Sequence, residues 1–119
     1  MKANELRVGN LVGSYNKGEE DRVLTINAQN ILVEAKANKQ GYTRYRPIPL
    51  TEEWLLKFGF ENNRLGLFDC IKVVEDIGFH IYFIQRHLKE VQYVHQLQNL
   101  YFALVGEELK LKEDESKID

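Results

Sequence analysis

Leu67-Phe68-Asp69-Cys70-Ile71-Lys72-Val73-Val74-Glu75 and Phe79-His80-Ile81-Tyr82-Phe83-Ile84-Gln85, separated by Asp76-Ile77-Gly78, read as two strands and a turn. β-Branched and aromatic residues crowd both runs, as strands prefer. Asp and Gly between them supply turn chemistry. Along the second run Phe79, Ile81 and Phe83 fall on one face, and His80, Tyr82 and Ile84 on the other. Both faces carry apolar groups, which predicts a central strand.

Upstream, Pro47-Ile48-Pro49 forces an extended backbone, because proline disfavours helix in the residue before it. A helix over 51–58 follows. Thr51 is a good N-cap, and Glu52 and Glu53 sit where the helix dipole favours anions. Leu50 is placed to staple onto Leu55, and Gly59 to close the helix in a left-handed cap. A two-turn helix needs tertiary packing, so Trp54, Leu55 and Phe58 are expected in the core.

Towards the N-terminus, Leu11, Val12 and Tyr15 open a first strand, Val23, Leu24 and Ile26 a second, and Ile31-Leu32-Val33 a third. Asn16-Lys17-Gly18 and the stretch from Asn27 to Asn30 read as turns. Strands this short and close together pair antiparallel, since a parallel crossover needs a dozen residues or more. The opening is compatible with a small SH3-like barrel. Residues 37–46 read as a polar loop around Gly41. Asn62-Asn63-Arg64 reads as a turn, and Glu107 to Leu111 as a short edge strand.

Downstream, Val91 to Val105 is expected to be the second helix. From Val91 to Gly106 there is no Asp, Glu, Lys or Arg. One broad face carries Val94, Leu97, Leu100, Tyr101, Leu104 and Val105; the other carries His95, Gln96, Gln98, Asn99, Phe102 and Ala103. An uncharged, amide-rich outer face is either covered by its own chain or offered to a partner, because interfaces deplete charge and enrich aromatics. His95, Gln98, Asn99 and Phe102 are therefore candidates for a protein-partner or self-association surface. Across both helices and both long strands, the expected core is Trp54, Leu55, Phe58, Phe68, Ile71, Phe79, Ile81, Phe83, Leu97, Leu100 and Leu104.

The 119 residues carry 16 Lys and Arg against 18 Asp and Glu, a net charge of −2. That excludes a wholesale polycation and a disordered polyanion. Residues 1–46 hold eight basic and five acidic residues, and 107–119 hold three and six. The chain is read as a single α+β domain over 1–111 with a charged tail over 112–119. The expected sheet is curved and mostly antiparallel, with five to seven strands and two helices. No run is apolar enough for a membrane span, and the lone cysteine, Cys70, precludes an intrachain disulfide. With no signal-peptide core at the start, these features point to the cytoplasm.

Chemistry-bearing patterns are few. His80, His87 and His95 lie seven and eight apart, without the one-turn spacing of a helical metal site, and are read as independent. Asp69, Glu75 and Asp76 read either as an acidic pair near a strand end or as a solvated turn. Neither a dinucleotide nor a P-loop fingerprint occurs. No cofactor is implied, and an enzyme is disfavoured; it would need His80, Tyr82 and Cys70 gathered in one pocket. The one site-like stretch is 36–46, where Lys36, Lys39, Arg44 and Arg46 interleave with Tyr42 and Tyr45. Cations neutralise phosphates and tyrosine rings stack on unpaired bases, so this loop is the candidate for weak nucleic-acid binding.

Three segments carry a resemblance. They are Met1-Lys2-Ala3-Asn4-Glu5-Leu6-Arg7-Val8-Gly9-Asn10, residues 48–60 (IPLTEEWLLKFGF) and residues 93–109 (YVHQLQNLYFALVGEEL). Together they resemble a family of small uncharacterised proteins from gut-bacterial and phage genomes. The resemblance implies a cytoplasmic, phage-related protein and assigns no catalytic or binding residue. The leading functional expectation is a non-enzymatic protein-interaction module; the alternative is the nucleic-acid loop.

Overall fold

The computed structural model describes residues 1–15, 18, 22–73 and 75–112. The turn expected at Asn16 and Lys17, and the tail beyond Lys112, lie outside them. The fold is α+β, with every strand pairing antiparallel. The described chain divides into two compact units, residues 1–49 with 93–108, and residues 50–92 with 109–112.

The first unit holds β1 (Leu11–Ser14), β2 (Leu24–Thr25), α1 (Ala28–Lys39), β3 (Tyr45–Arg46) and α3 (Val94–Val105). Its sheet has the order β2-β1-β3 and is not closed, so the SH3-like barrel is not formed. Leu6, Val12, Ile26 and Tyr45 make a core cluster against Met1, Leu24 and Ile31. The expected third strand, Ile31 to Val33, is instead the second turn of α1, and the first three residues of the expected loop over 37–46 are its end. Asn27 and Asn30 cap its start. Asn30 N–H donates to Asn27 Oδ1 at 2.8 Å, and Asn27 N–H donates to Asn30 Oδ1 at 2.9 Å, a reciprocal capping box. The buried face of α1 is Glu34 and Ala37, while Leu32 is 66% exposed, so its sequence carries little amphipathic signal. The described residues thus form three α-helices where two were expected.

The second unit holds α2 (Glu52–Lys57), β4 (Arg64–Leu65), β5 (Phe68–Lys72), β6 (Phe79–Phe83) and β7 (Arg86–Val91). Thr51 Oγ1 accepts from Trp54 N–H at 3.3 Å at the start of α2. At its end Gly59 has φ +93, Gly59 N–H donates to Leu56 O and Phe60 N–H to Leu55 O. That is the paired closure of a Schellman cap, which favours glycine. The sheet order is β4-β5-β6-β7, so β6 is central as expected. Phe68 faces Phe83, and Cys70 faces Ile81. Leu55, Phe58, Phe60, Phe68, Cys70, Phe79, Ile81 and Val91 are buried.

Two members of the expected core are on the surface. Ile71 stands opposite His80 on the outer sheet face and is 48% exposed. Leu104, in the last turn of α3, is 41% exposed. The second helix begins at Val94, because residues 86–91 form β7, a strand that the sequence reading did not include. Glu107 to Leu111 forms no strand. No helix among the described residues is long and apolar enough to cross a membrane.

Candidate functional site

The basic stretch is divided by the fold. Tyr45 sits on β3 and is 8% exposed, in the first unit's core cluster. Arg46, next along β3, pairs with Gly13 on β1, and its guanidinium fills the space a Cβ at Gly13 would need. Both belong to the sheet. Lys36, Lys39, Tyr42 and Arg44 are exposed.

The anchor that presents them is Glu34, fully buried on α1. Its Oε1 accepts from Arg44 N–H at 2.8 Å and from Asn38 Nδ2 at 3.5 Å. Its Oε2 accepts from Thr43 Oγ1 at 2.8 Å and Tyr45 N–H at 3.1 Å. Donors from three consecutive residues of the returning chain converge on one carboxylate, the arrangement that makes a buried charge tolerable. Gly41, with φ +89, makes the turn before them. Asn38 Nδ2 also donates to Tyr42 O at 3.2 Å, so the turn is tied at both ends.

Two open depressions flank this turn. One, of about 370 Å³, is lined by Val33, Lys36, Ala37, Gln40, Tyr42 and Arg44. The other, of about 670 Å³, is lined by Lys2, Ala3, Asn4 and Ala35 with Asn38, Gly41, Tyr42 and Thr43. Tyr42 is common to both and is 51% exposed. An aromatic ring with concave, cation-bearing ground beside it can stack a planar group and neutralise an anion next to it. Lys2 belongs to this surface and Glu34 lies buried beneath it, and neither is among the residues the sequence singles out; only the folding of the chain onto α1 brings them there.

The amide-rich side of α3 is engaged by residues 5–11 of the same unit. Gln98, buried, accepts from Leu11 N–H at 2.8 Å through Oε1 and donates to Gly9 O at 3.2 Å. Asn99 Oδ1 accepts from Asn10 Nδ2 at 2.8 Å and Arg7 Nε at 3.1 Å, and its Nδ2 donates to Glu5 O at 3.0 Å. Arg7 pairs with Glu108 and lies 4.2 Å from the Phe102 ring centroid. His95 is 1% exposed, stacked on Tyr93, and neither ring nitrogen has a hydrogen-bond partner among the described residues. Burial pushes its pKa down, against the opposing pull of Glu5 Oε1 at 3.6 Å. Of the four candidates on this helix, Phe102 alone stays largely exposed, at 39%.

In the second unit the sheet pleat separates Cys70 from His80 and Tyr82. Cys70 faces Ile81 on the buried side, where burial, with Asp69 adding, pushes its thiol up to about 12. Such a thiol is a poor nucleophile. His80 and His87, expected to be independent, are neighbours: Nδ1 of one lies 2.9 Å from Nε2 of the other.

No known protein family, curated protein or solved structure matches the chain.

Proposed function

We propose that this protein is a non-enzymatic binding module that takes single-stranded nucleic acid on the turn after α1. The reading rests on one observation: exposed Tyr42 lines two depressions at once, one with Lys36 and Arg44 beside it and the other with Lys2. Tyr42 stacks a base; Lys36 and Arg44 meet the phosphates that flank it. The net +3 of residues 1–46 supports an anionic ligand within an otherwise acidic chain. Binding of this kind is weak and depends steeply on salt. Fluorescence anisotropy with a labelled oligo-dT tests it. Lys36→Ala with Arg44→Ala removes two phosphate contacts, so the slope of log affinity against log salt falls by about 1.4. Tyr42→Ala costs roughly 1–3 kcal/mol if one base stacks there. No binding at about 50 mM salt refutes the reading, since low salt already exaggerates charge attraction.

A second reading, a protein partner or a second copy at the end of α3, is favoured by Phe102 and Val105. They are 39% and 40% exposed and three residues apart on one helix face. Sedimentation of the parent and of Phe102→Glu distinguishes it: a dimer that the substitution dissociates supports this surface, and a parent that stays monomeric removes self-association.

A further inference from the structure

The β6–β7 hairpin carries an irregularity that reorganises its outer face. His80 pairs with Glu90 and Ile81 with Lys89, but Tyr82 pairs with His87, so Leu88 is an extra residue on β7. His87 and Glu90 are three residues apart and would face opposite sides of a regular strand. The bulge at Leu88 returns His87 to the face of Glu90 and His80, which is how bulges re-aim side chains. Asp76, in the turn before β6, reaches the same place.

Two carboxylates converge there on one ring nitrogen. His80 Nε2 lies 2.5 Å from Asp76 Oδ2 and 3.7 Å from Glu90 Oε2. One donor atom from each of Asp76, His80 and Glu90 lies within 4.8 Å of the others. A single N–H can point at one carboxylate oxygen; a cation serves both. The nearby Lys72 is directed elsewhere, to the carbonyls of Asp76 and Gly78. The side chains of Asp76, His80 and Glu90 are 38%, 22% and 34% exposed, so an ion can enter and the donors can adjust.

We propose that Asp76 Oδ2, His80 Nε2 and Glu90 Oε2 bind a divalent first-row transition ion of the zinc type. Imidazole with carboxylates is a borderline donor set that suits such ions better than calcium, which takes six or more oxygens. Bonds of about 2.0–2.2 Å at tetrahedral angles put donors roughly 3.3 Å apart. The His80–Glu90 spacing is already close to that; Asp76 moves out by less than about 1 Å from His80. Three protein donors leave the fourth position to water. His87 is a positioning residue. Its Nε2 accepts from Nδ1–H of His80, which holds the His80 ring and turns its lone pair at Nε2 towards the ion, the usual outer-shell role.

Zinc titration of the full chain by calorimetry tests the site. The expected result is one ion per chain, a rise in melting temperature with zinc, and loss of both in His80→Asn and in Glu90→Gln. Glu90→Gln is the safer variant for folding, since it keeps the shape of a half-exposed side chain. Melting of each variant without metal checks that the fold persists. His87→Gln is expected to weaken binding roughly 10–100-fold. A ¹H–¹⁵N spectrum of the imidazoles gives a readout that folding alone does not move: zinc shifts Nε2 of His80, leaves Nδ1 protonated, and leaves the buried His95 ring unchanged. Absence of a one-to-one step, or zinc binding that is unchanged in both His80→Asn and Glu90→Gln, overturns the proposal.

Discussion

Replacing Glu34 by glutamine changes one oxygen to an NH₂ group and almost nothing in volume, so it isolates the buried anchor of the Tyr42 turn. In the parent the carboxylate accepts two backbone N–H groups, from Arg44 and Tyr45, one on each oxygen. An amide can present an oxygen to only one of them. The Tyr45 N–H bond is fully buried, while that of Arg44 is partly accessible. The amide therefore settles with its oxygen towards Tyr45 and Thr43, whose hydroxyl donates there as well. Its NH₂ then opposes Arg44 N–H, which turns to water. A hydrogen bond to a charged group contributes about 1.5–3 kcal/mol, and those that remain become neutral and weaker, so the expected loss is about 2–4 kcal/mol. Urea unfolding reads the loss, and amide hydrogen exchange locates it: Arg44 exchanges much faster, Tyr45 less so. Oligo-dT affinity falls too, because the turn that presents Tyr42 and Arg44 loosens. A midpoint shift worth less than about 0.5 kcal/mol, or exchange at Tyr45 that rises more than at Arg44, refutes the reasoning.

Three further outcomes follow from the same structure. His95 has a folded-state pKa below its ordinary 6.5 because burial disfavours its charged form more than Glu5 favours it, so the unfolded chain takes up the proton first. Stability should be level above about pH 6.5 and fall as the pH drops through the folded-state value; urea midpoints of the parent and His95→Gln check this, the variant being flatter. Ile84 and Gln85, the two-residue turn between β6 and β7, both have positive φ, at 52° and 64°, where a β-branched side chain is strained. Because Ile84 is 59% exposed, Ile84→Asn with Gln85→Gly should raise stability by about 1–2 kcal/mol, and thermal melting that does not rise contradicts the turn geometry. Leu97, fully buried on α3, should cost roughly 2–5 kcal/mol as alanine, whereas Leu104, 41% exposed, should cost far less; equal melting of the two variants would place them in the same environment.

Elements specified by local chemistry were legible in the sequence. The α2 helix carries its own start and stop in Thr51 and Gly59, and both caps form as their residue types require. The strands β5 and β6 announce themselves by β-branched and aromatic crowding, and the alternation along β6 correctly put Phe79, Ile81 and Phe83 on one face. The lack of charge through α3 was visible as well, though not what meets it: the partners of Gln98 and Asn99 lie at residues 5–11, about ninety positions away in sequence. The elements that were misread depend on groups brought from elsewhere. The α1 helix buries a glutamate and an alanine, so its face has no apolar period; donors from Thr43, Arg44 and Tyr45 make that glutamate an inside residue. The β7 strand is exposed over most of its length and contains a bulge, which breaks the two-residue period by which a strand is recognised. That same bulge sets His87 beside His80, and the separation of Tyr42 and Arg44 from Tyr45 and Arg46 likewise depends on where β3 joins its sheet. A side chain's role as core, anchor or ligand follows from what the folded chain places against it, and only residues within a few positions of each other can reveal that beforehand.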